Sequence, residues 1–497
     1  TATIVEAPRS GLLIDGHDFY RALYRAFGQA RRTIWMAGWQ FDGSVELVRG
    51  GDADSGPCEL ARYLGDLCRA RPELEICILA WDASAVFTFE RVPLQRRVFE
   101  RCGPGRIRYR MDNCHLPGAS QHQKLVAIDR SIAFVGGMDV CNSRWDDRAH
   151  RAEEPLRVNG KRSYTPYHDV QAFVTGDAVD VLRGWFAERW RLATDGERLD
   201  EDAPRHPIEI DATLEVDAPR IGLARTWPEM NSCPIPPCGE LKALHLRAIA
   251  CAERLLYMEN QYLSCDEIER AIVERMEALP AADGRLEVVI VLPEKSAGMK
   301  ERLSIGVYQA KILRHLDEVA RRTGHRVGVY YTAAPGPDGD VPVFIHAKVM
   351  VVDDRFLLVS SANATNRSMS FDSELGLAWE APAESPSIRA ARVEMLREHA
   401  GLDADESDAV LGAAGLVDRL DALARAGQHR LRIHRRNQDE RPGPILARFI
   451  PDDPPFDPDR IEDMLPEPGV WLDRILRDPA VMLVHGGRRL ARRRRTR

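Results

Sequence analysis

Two short stretches of this 497-residue chain, His122-Gln-Lys124 and His346-Ala-Lys348, combine residue types suited to an anionic ester. Side chains alternate along a strand, so an imidazole and an ammonium two residues apart project together. A phosphodiester carries negative charge that repels nucleophiles. A site for it must neutralise that charge while offering an attacking group and a proton donor. Two lysines can hold the non-bridging oxygens as compact point charges. One neutral imidazole can attack phosphorus to give a covalent phosphohistidine. The other, protonated, can donate to the leaving oxygen and afterwards take a proton from water or an alcohol. Such a scheme calls for no metal and no other cofactor, and the sequence shows no His/Cys/carboxylate group at zinc spacing and no EF-hand-like loop.

Lysine is rare here: of 69 basic residues only seven are lysines, at 124, 161, 242, 295, 300, 311 and 348, and the rest are arginines. Arginine and lysine differ in shape, hydration and hydrogen-bond geometry, so a lysine beside each histidine is read as selected for its compact charge. Catalytic histidines need an acceptor on the second ring nitrogen. Asp169 and Glu374 each head an apolar strand-like run downstream of a His-Lys pair. The expectation is that Asp169 orients His122 and Glu374 orients His346. Asp129 and Asp353 complete each motif five residues past its lysine, roughly 17 Å along a strand. They belong to the candidate set, with a structural part at the turn as the expected one. Gly136-Gly137 and Ser360-Ser361 follow, small enough for a phosphate to approach backbone N–H groups.

The elements that would position these residues repeat. Phe19, Leu23, Phe27 and Ala30 fall at helical spacing, followed by strand-like runs at Thr33–Trp39 and Leu74–Leu79. Leu125–Ile128 and Ile132–Val135 bracket a tight connection, and Val170–Val174 precedes a helix marked by Val179, Leu182 and Phe186. The same grammar restarts with a helix from Leu241 to Cys251, strands at Leu255–Met258 and Leu286–Leu292, a long helix from Met299 to Leu316, and paired strands at Lys348–Val352 and Phe356–Val359. Trp35-Met36 falls on Tyr257-Met258 at a shift of 222, and the stretch from His122 on that from His346 at 224. The fold class expected is α/β: a duplicated unit of helix-covered sheets about a pseudo-two-fold axis, bringing both pairs to one cleft. The expected domains are a first lobe over 1–196, a Pro/acidic linker over 197–238, a second lobe over 239–402, and an extension over 403–497. The extension carries helical pattern from Val410 to Ala424 and seven arginines within 488–497. That tail is read as a solvated end or as an element drawn to anionic lipid.

Composition excludes several classes. Hydrophobic residues at 44% and charged residues at 29% are those of a globular chain, neither disordered nor fibrous. A net charge of −7 argues against a general nucleic-acid binder, although Arg144, Arg148, Arg151, Arg157, Lys161 and Arg162 form a local basic stretch. Ten cysteines without a Cys-x-x-Cys pair are read as free thiols, with Cys233 and Cys238 the one conceivable bridge. No apolar run is long enough to span a bilayer, so a soluble, peripherally associating protein is expected. Thr1 in place of Met reads as a processed or engineered start, and the compartment stays open. Trp81, Phe87 and Phe89 are candidates for an acyl-chain rim beside the cleft.

The doubled pattern His-x-Lys-x4-Asp-x6-Gly-Gly/Ser-Ser resembles the phospholipase D superfamily, the HKD enzymes. Phe134 to Asp146 (FVGGMDVCNSRWD), Tyr167-His-Asp-Val-Gln171, Glu259-Asn-Gln-Tyr262 and Ser360 to Met369 with Asp372-Ser-Glu374 look like its eukaryote-type subgroup. The resemblance covers roughly residues 8–402. It implies a monomeric, two-lobed enzyme that converts phosphatidylcholine-like lipids to phosphatidic acid, with transfer to primary alcohols as a side or main reaction. By its pattern His122 is the nucleophile and His346 the acid/base, while Ser361 and Asn363 contact phosphate. Asp139 stands where the second copy has Asn363, and Ser360 replaces the usual Gly. A phosphatidyltransferase using the same intermediate, a nuclease with the same constellation and a catalytically dead membrane scaffold are the competing readings. No nucleic-acid partner is expected.

Overall fold

The structure, a computed structural model, describes residues 2–51, 58–82, 94–116, 119–218, 220–229, 235–281, 284–295 and 306–434. Residues 1–440 form one compact unit; the other, 441–497, lies wholly outside the described residues, as do Phe87, Phe89, Cys233, Met299 and Leu303.

Apolar runs become strands whose side chains are divided between two interiors. In Thr33–Gly38 every residue is buried, with Trp35 and Ala37 in one core and Ile34 and Met36 in another. Such strands read as continuous apolar runs because both faces are covered. The first sheet runs, edge to edge, Leu214–Glu215, Ser10–Ile14, Val170–Thr175, Ile132–Gly136, Leu125–Ile128, Thr33–Gly38, Glu75–Trp81, Ile107–Asp112. Its last three strands pair in parallel and the others antiparallel. The second sheet repeats seven of these places in order: Arg220–Trp227, Glu374–Glu380, Phe356–Ser360, Val349–Val352, Leu255–Glu259, Glu287–Val291, Arg326–Ala334. Again the last three are parallel. The protein is thus an internally duplicated α/β fold. A shared core, with Trp35, Leu125, Val135 and Val170 from one sheet and Tyr257, Val349, Leu357 and Trp379 from the other, fills the space between the sheets. Helices cover the two outer faces.

The helix expected from Phe19 to Ala30 spans Asp15–Gln29, with Ala30 capping it. Three expectations need correction. The stretch 197–238 is more than a linker: Leu214–Glu215 joins the first sheet and Arg220–Trp227 the second, because Ile221 and Leu223 supply buried surface that the surrounding Pro and acidic residues disguise. Thr3–Glu6, at the start of the expected first lobe, pairs with Arg220–Trp227 in the second sheet. The helical pattern from Val410 is two helices, Asp408–Leu411 and Leu416–Ala426, broken at Gly412–Gly415, where Gly415 has φ of +68°. Among the described residues no helix is long and apolar enough to cross a membrane.

Candidate active site

His122–Lys124 and His346–Lys348 sit just before the strands Leu125–Ile128 and Val349–Val352 rather than within them. At the far end of each strand an aspartate turns the chain with positive φ, +49° at Asp129 and +51° at Asp353. The Asp129 carboxylate accepts the backbone N–H groups of Arg31, Arg32 and Thr33 at 2.7, 2.9 and 2.8 Å. Asp353 does the same for Glu253, Arg254 and Leu255 at 2.7, 2.8 and 2.7 Å. Both therefore pin the start of the adjacent strand, and neither touches the histidines. They leave the catalytic set for the structural part their spacing suggested. Stranding three N–H groups by Asp129→Ala should cost at least about 2 kcal/mol. A urea titration measures that loss, which falls on stability and not on turnover per folded molecule.

The orienting carboxylates are exchanged relative to expectation. His122 Nδ1 lies 3.0 Å from each Glu374 oxygen, and His346 Nδ1 lies 2.7 Å from Asp169 Oδ2. The backbone explains the crossing. Each His-x-Lys segment is paired with the residue preceding the acid of the other repeat: the His122 N–H donates to the Ser373 carbonyl at 3.0 Å, and the His346 N–H to the His168 carbonyl at 2.8 Å. Tyr167-His168 and Phe344-Ile345 form a short parallel ladder, matched by a bridge between Gln121 and Ser373. Motif spacing alone could not reveal this, since pairing to the nearer acid and to the farther one have the same sequence.

Both lysines are buried. Lys124 Nζ donates to the His122 carbonyl at 3.0 Å and lies 3.3 Å from Asp139. Lys348 Nζ donates to its own His346 carbonyl and to Gln261 Oε1 at 3.3 Å, and lies 3.1 Å from His346 Nδ1. Gly137 is small for a different reason than the one expected: a Cβ there would come within 2.4 Å of Asp169 Oδ1, and one at Gly136 within 2.5 Å of Gln171 Oε1. Gly137 clears room for the carboxylate that orients His346, and Gly136 for the Gln171 side chain. Ser361 donates its hydroxyl to Glu374 and accepts the Leu375 N–H at 3.0 Å, so it reaches His122 through Glu374. Asn363 keeps its side-chain oxygen buried without a hydrogen-bond partner.

Several members of the site escaped the sequence reading. Tyr167 stacks on the His346 ring at 5.5 Å between centroids, and the Arg144 guanidinium lies 5.0 Å over Tyr167. Gln261, named only within a longer motif, and Asp139, noted only as the counterpart of Asn363, are lysine partners. Trp81 is core rather than rim, packed against Trp39 at 5.4 Å. Three of the six members of the basic stretch are engaged in ion pairs: Arg148 with Glu394 and Glu398, Arg151 with Asp147 and Glu154, Arg157 with Asp146.

Burial first, and then the neighbouring charges, set the protonation states. Burial, then the Lys348, Arg144, Lys124 and His122 charges, push the His346 imidazole well below the usual histidine range. Burial pushes the Lys348 ammonium down to about 7, with Lys124 acting in the same direction and Asp169 against it. Burial raises the Asp169 carboxyl to about 7, against the nearby lysines. These mutual influences place the two His-Lys pairs and both acids within one electrostatic neighbourhood. An anion bound beside Lys348 and His346 would favour the charged form of both, raising the basicity that burial and the neighbouring positive charges depress. Because Lys348 loses its proton above about pH 7 in the free site, anion binding at higher pH requires proton uptake. The affinity for sulfate, whose charge is constant there, should fall by up to about tenfold per pH unit above that point. Competition kinetics between pH 6 and 9 measures it.

Comparison with known proteins adds to this geometry. Residues 246–394 match the family model described as cardiolipin synthase, PLD-like domain. Phospholipase D A of Dictyostelium discoideum is 24% identical over 484 residues, spanning 79% of this chain and 35% of that protein. Phospholipase D alpha 4 of Arabidopsis thaliana is 23% identical over 494 residues, spanning 78% and 64%. The chain thus spans about a third and just under two thirds of the lengths of these two relatives. A phosphatidylserine synthase from Haemophilus influenzae aligns with a TM-score of 0.52 at 14% identity, covering 86% of this chain and 96% of that one, a likeness of fold alone.

Proposed function

We infer that this chain, a member of the phospholipase D superfamily of the eukaryote type, cleaves the phosphodiester between the phosphatidyl and head groups of a glycerophospholipid. The observation that carries this reading is the crossed arrangement, in which each imidazole is oriented by the carboxylate of the opposite repeat beside two buried lysines. The lysines neutralise the non-bridging oxygens. His122, aligned by Glu374, attacks phosphorus through Nε2, the bond from phosphorus to the head-group oxygen breaks, and His346 delivers its proton to that oxygen. In the second half His346 takes a proton from water or a primary alcohol. The new oxygen attacks phosphorus, and the bond to His122 breaks to release phosphatidic acid or a phosphatidylalcohol. Hydrolysis and phosphatidyl transfer differ only in which acceptor reaches the intermediate.

The test offers the full chain phosphatidylcholine vesicles with and without a primary alcohol, beside supercoiled plasmid. Phosphatidic acid in the first arm and phosphatidylalcohol in the second are expected. Plasmid nicking without lipid turnover overturns the reading and promotes the nuclease.

A further inference from the structure

Behind the Asp169–His346 pair the fold buries a second set of ionisable groups that the proposed reaction does not use. Asp15 opens the helix Asp15–Gln29, His150 follows from a loop, and His168 lies in the short ladder just before Asp169. Glu398 comes from the last turn of the helix Pro386–Ala400, which Ser385 caps and Gly401 ends at φ of +69°. All four side chains are fully excluded from solvent. No His/Cys/carboxylate pattern in the sequence announced them, because they lie far apart along the chain.

Four ligand atoms, one from each of these residues, lie within 4.8 Å of one another. His150 Nε2 is 3.3 Å from Asp15 Oδ2 and 3.1 Å from Glu398 Oε1. His168 Nδ1 is 3.0 Å from Asp15 Oδ1 and 2.7 Å from Glu398 Oε1. A tetrahedral ion with bonds of about 2.0–2.1 Å has ligand atoms roughly 3.3 Å apart, close to the separations already in place. The outward nitrogens are arranged as metal-ligating imidazoles require, each facing a carboxylate that fixes the tautomer. His150 Nδ1 is 2.9 Å from Asp146, and His168 Nε2 is 2.9 Å from Glu259.

Two further observations point to a cation. Asp15 Oδ2 is buried and makes no hydrogen bond: its 3.3 Å approach to His150 lacks the required geometry. Arg157 compensates Asp146 and Arg148 compensates Glu398, whereas the ion pairs of Asp15 and Glu259 among the described residues are with histidines only. With both imidazoles neutral, as metal ligation requires, the Asp15 and Glu259 carboxylates have no lysine or arginine partner among the described residues, an arrangement that is costly in a solvent-free interior unless neutralised. A divalent ion neutralises them at once while giving Asp15 Oδ2 a partner.

We propose that Asp15, His150, His168 and Glu398 form a structural site for one divalent transition metal of the zinc class. Two imidazole donors among only four ligands disfavour calcium and magnesium, which take six or more oxygens or keep their waters. The site is a positioning device. Asp15 Oδ1 accepts the Asp169 N–H at 3.3 Å, and His168 immediately precedes Asp169. A metal there holds the carboxylate that orients His346, and ties the first sheet's surroundings to the helix carrying Glu398.

The test is metal analysis of the purified full chain loaded with zinc and freed of excess by gel filtration, followed by X-ray absorption at the zinc edge. One zinc per chain with two nitrogen and two oxygen ligands at about 2.0–2.1 Å and no sulfur is expected. Glu259→Gln should weaken zinc retention about 10–100-fold, and Asp15→Asn, which keeps the side-chain shape, should weaken it further. A chain that retains no zinc, a sulfur ligand in the spectrum, or unchanged retention by a folded Asp15→Asn protein overturns the proposal. The absorption spectrum of the unaltered protein decides the matter even if both variants misfold. Zinc-free protein that turns over lipid sinks this site alone; zinc-loaded protein inert toward lipid sinks the enzymatic reading alone.

Discussion

His122→Ala should lower phosphatidylcholine turnover by roughly 10⁴-fold or more, the range met when one member of a nucleophilic unit is removed. His346→Ala should lower it by about 10²–10⁴-fold, as befits an acid/base. The two losses differ in kind. Without His122 no covalent intermediate forms. Without His346 the leaving oxygen lacks its proton, but a p-nitrophenyl ester, whose leaving group needs none, should still phosphorylate His122. The adduct should then accumulate because nothing deprotonates the acceptor. Mass spectrometry of the peptide containing residue 122 after a base quench reads this directly. An adduct on residue 346 in the His122→Ala protein would reverse the roles, and full activity in either variant would break the shared-site mechanism. Burial and the surrounding positive charges hold the His346 imidazole well below the usual histidine range in the free site, so its part as proton donor depends on the negative charge that the ester would bring.

The crossed pairing makes a second prediction of comparable size. Asp169→Asn and Glu374→Gln should each lower turnover by about 10²–10⁴-fold, since a carboxamide can present N–H to the ring and hold the wrong tautomer. The variants should sort by the histidine they touch rather than by the repeat they belong to. Asp169→Asn is expected to behave like His346→Ala, regaining a first-turnover burst with the p-nitrophenyl ester, and Glu374→Gln like His122→Ala, showing none. The opposite sorting would mean that each acid serves the histidine of its own repeat in solution. Circular dichroism of both proteins separates misfolding from loss of function. Gly137 offers a check on the same geometry: Gly137→Ala should mimic Asp169→Asn, because the added methyl overlaps the Asp169 carboxylate.

Much of the architecture is legible in the sequence, and the reason is local. Strand residues buried on both faces must be apolar throughout, so Leu125–Ile128 and Val349–Val352 were readable within a residue. Duplication placed His-x-Lys at equivalent points and preserved Asp129 and Asp353, whose three-fold capture of backbone N–H groups is a property of the turn. Arg220–Trp227 was hidden because Pro and acidic neighbours diluted its apolar pattern. Gly412–Gly415 lies within an otherwise helical pattern, and only the backbone reveals the break.

The sequence by itself determined which groups the candidate site gathers: two imidazoles, two ammonium groups and two carboxylates, each on or beside a buried strand of a repeated unit. Tertiary structure alone decided who serves whom. His122 meets a carboxylate 252 positions away and His346 one 177 positions away, because the segments entering the two strands pair across the repeat rather than within it. The same holds for Asp15, His150, His168 and Glu398, which share no local pattern and become a cluster only when a helix end, a loop and a short ladder converge. Periodicity reports how each segment meets its own core; contacts between segments depend on sheet order and packing, which no window of sequence contains.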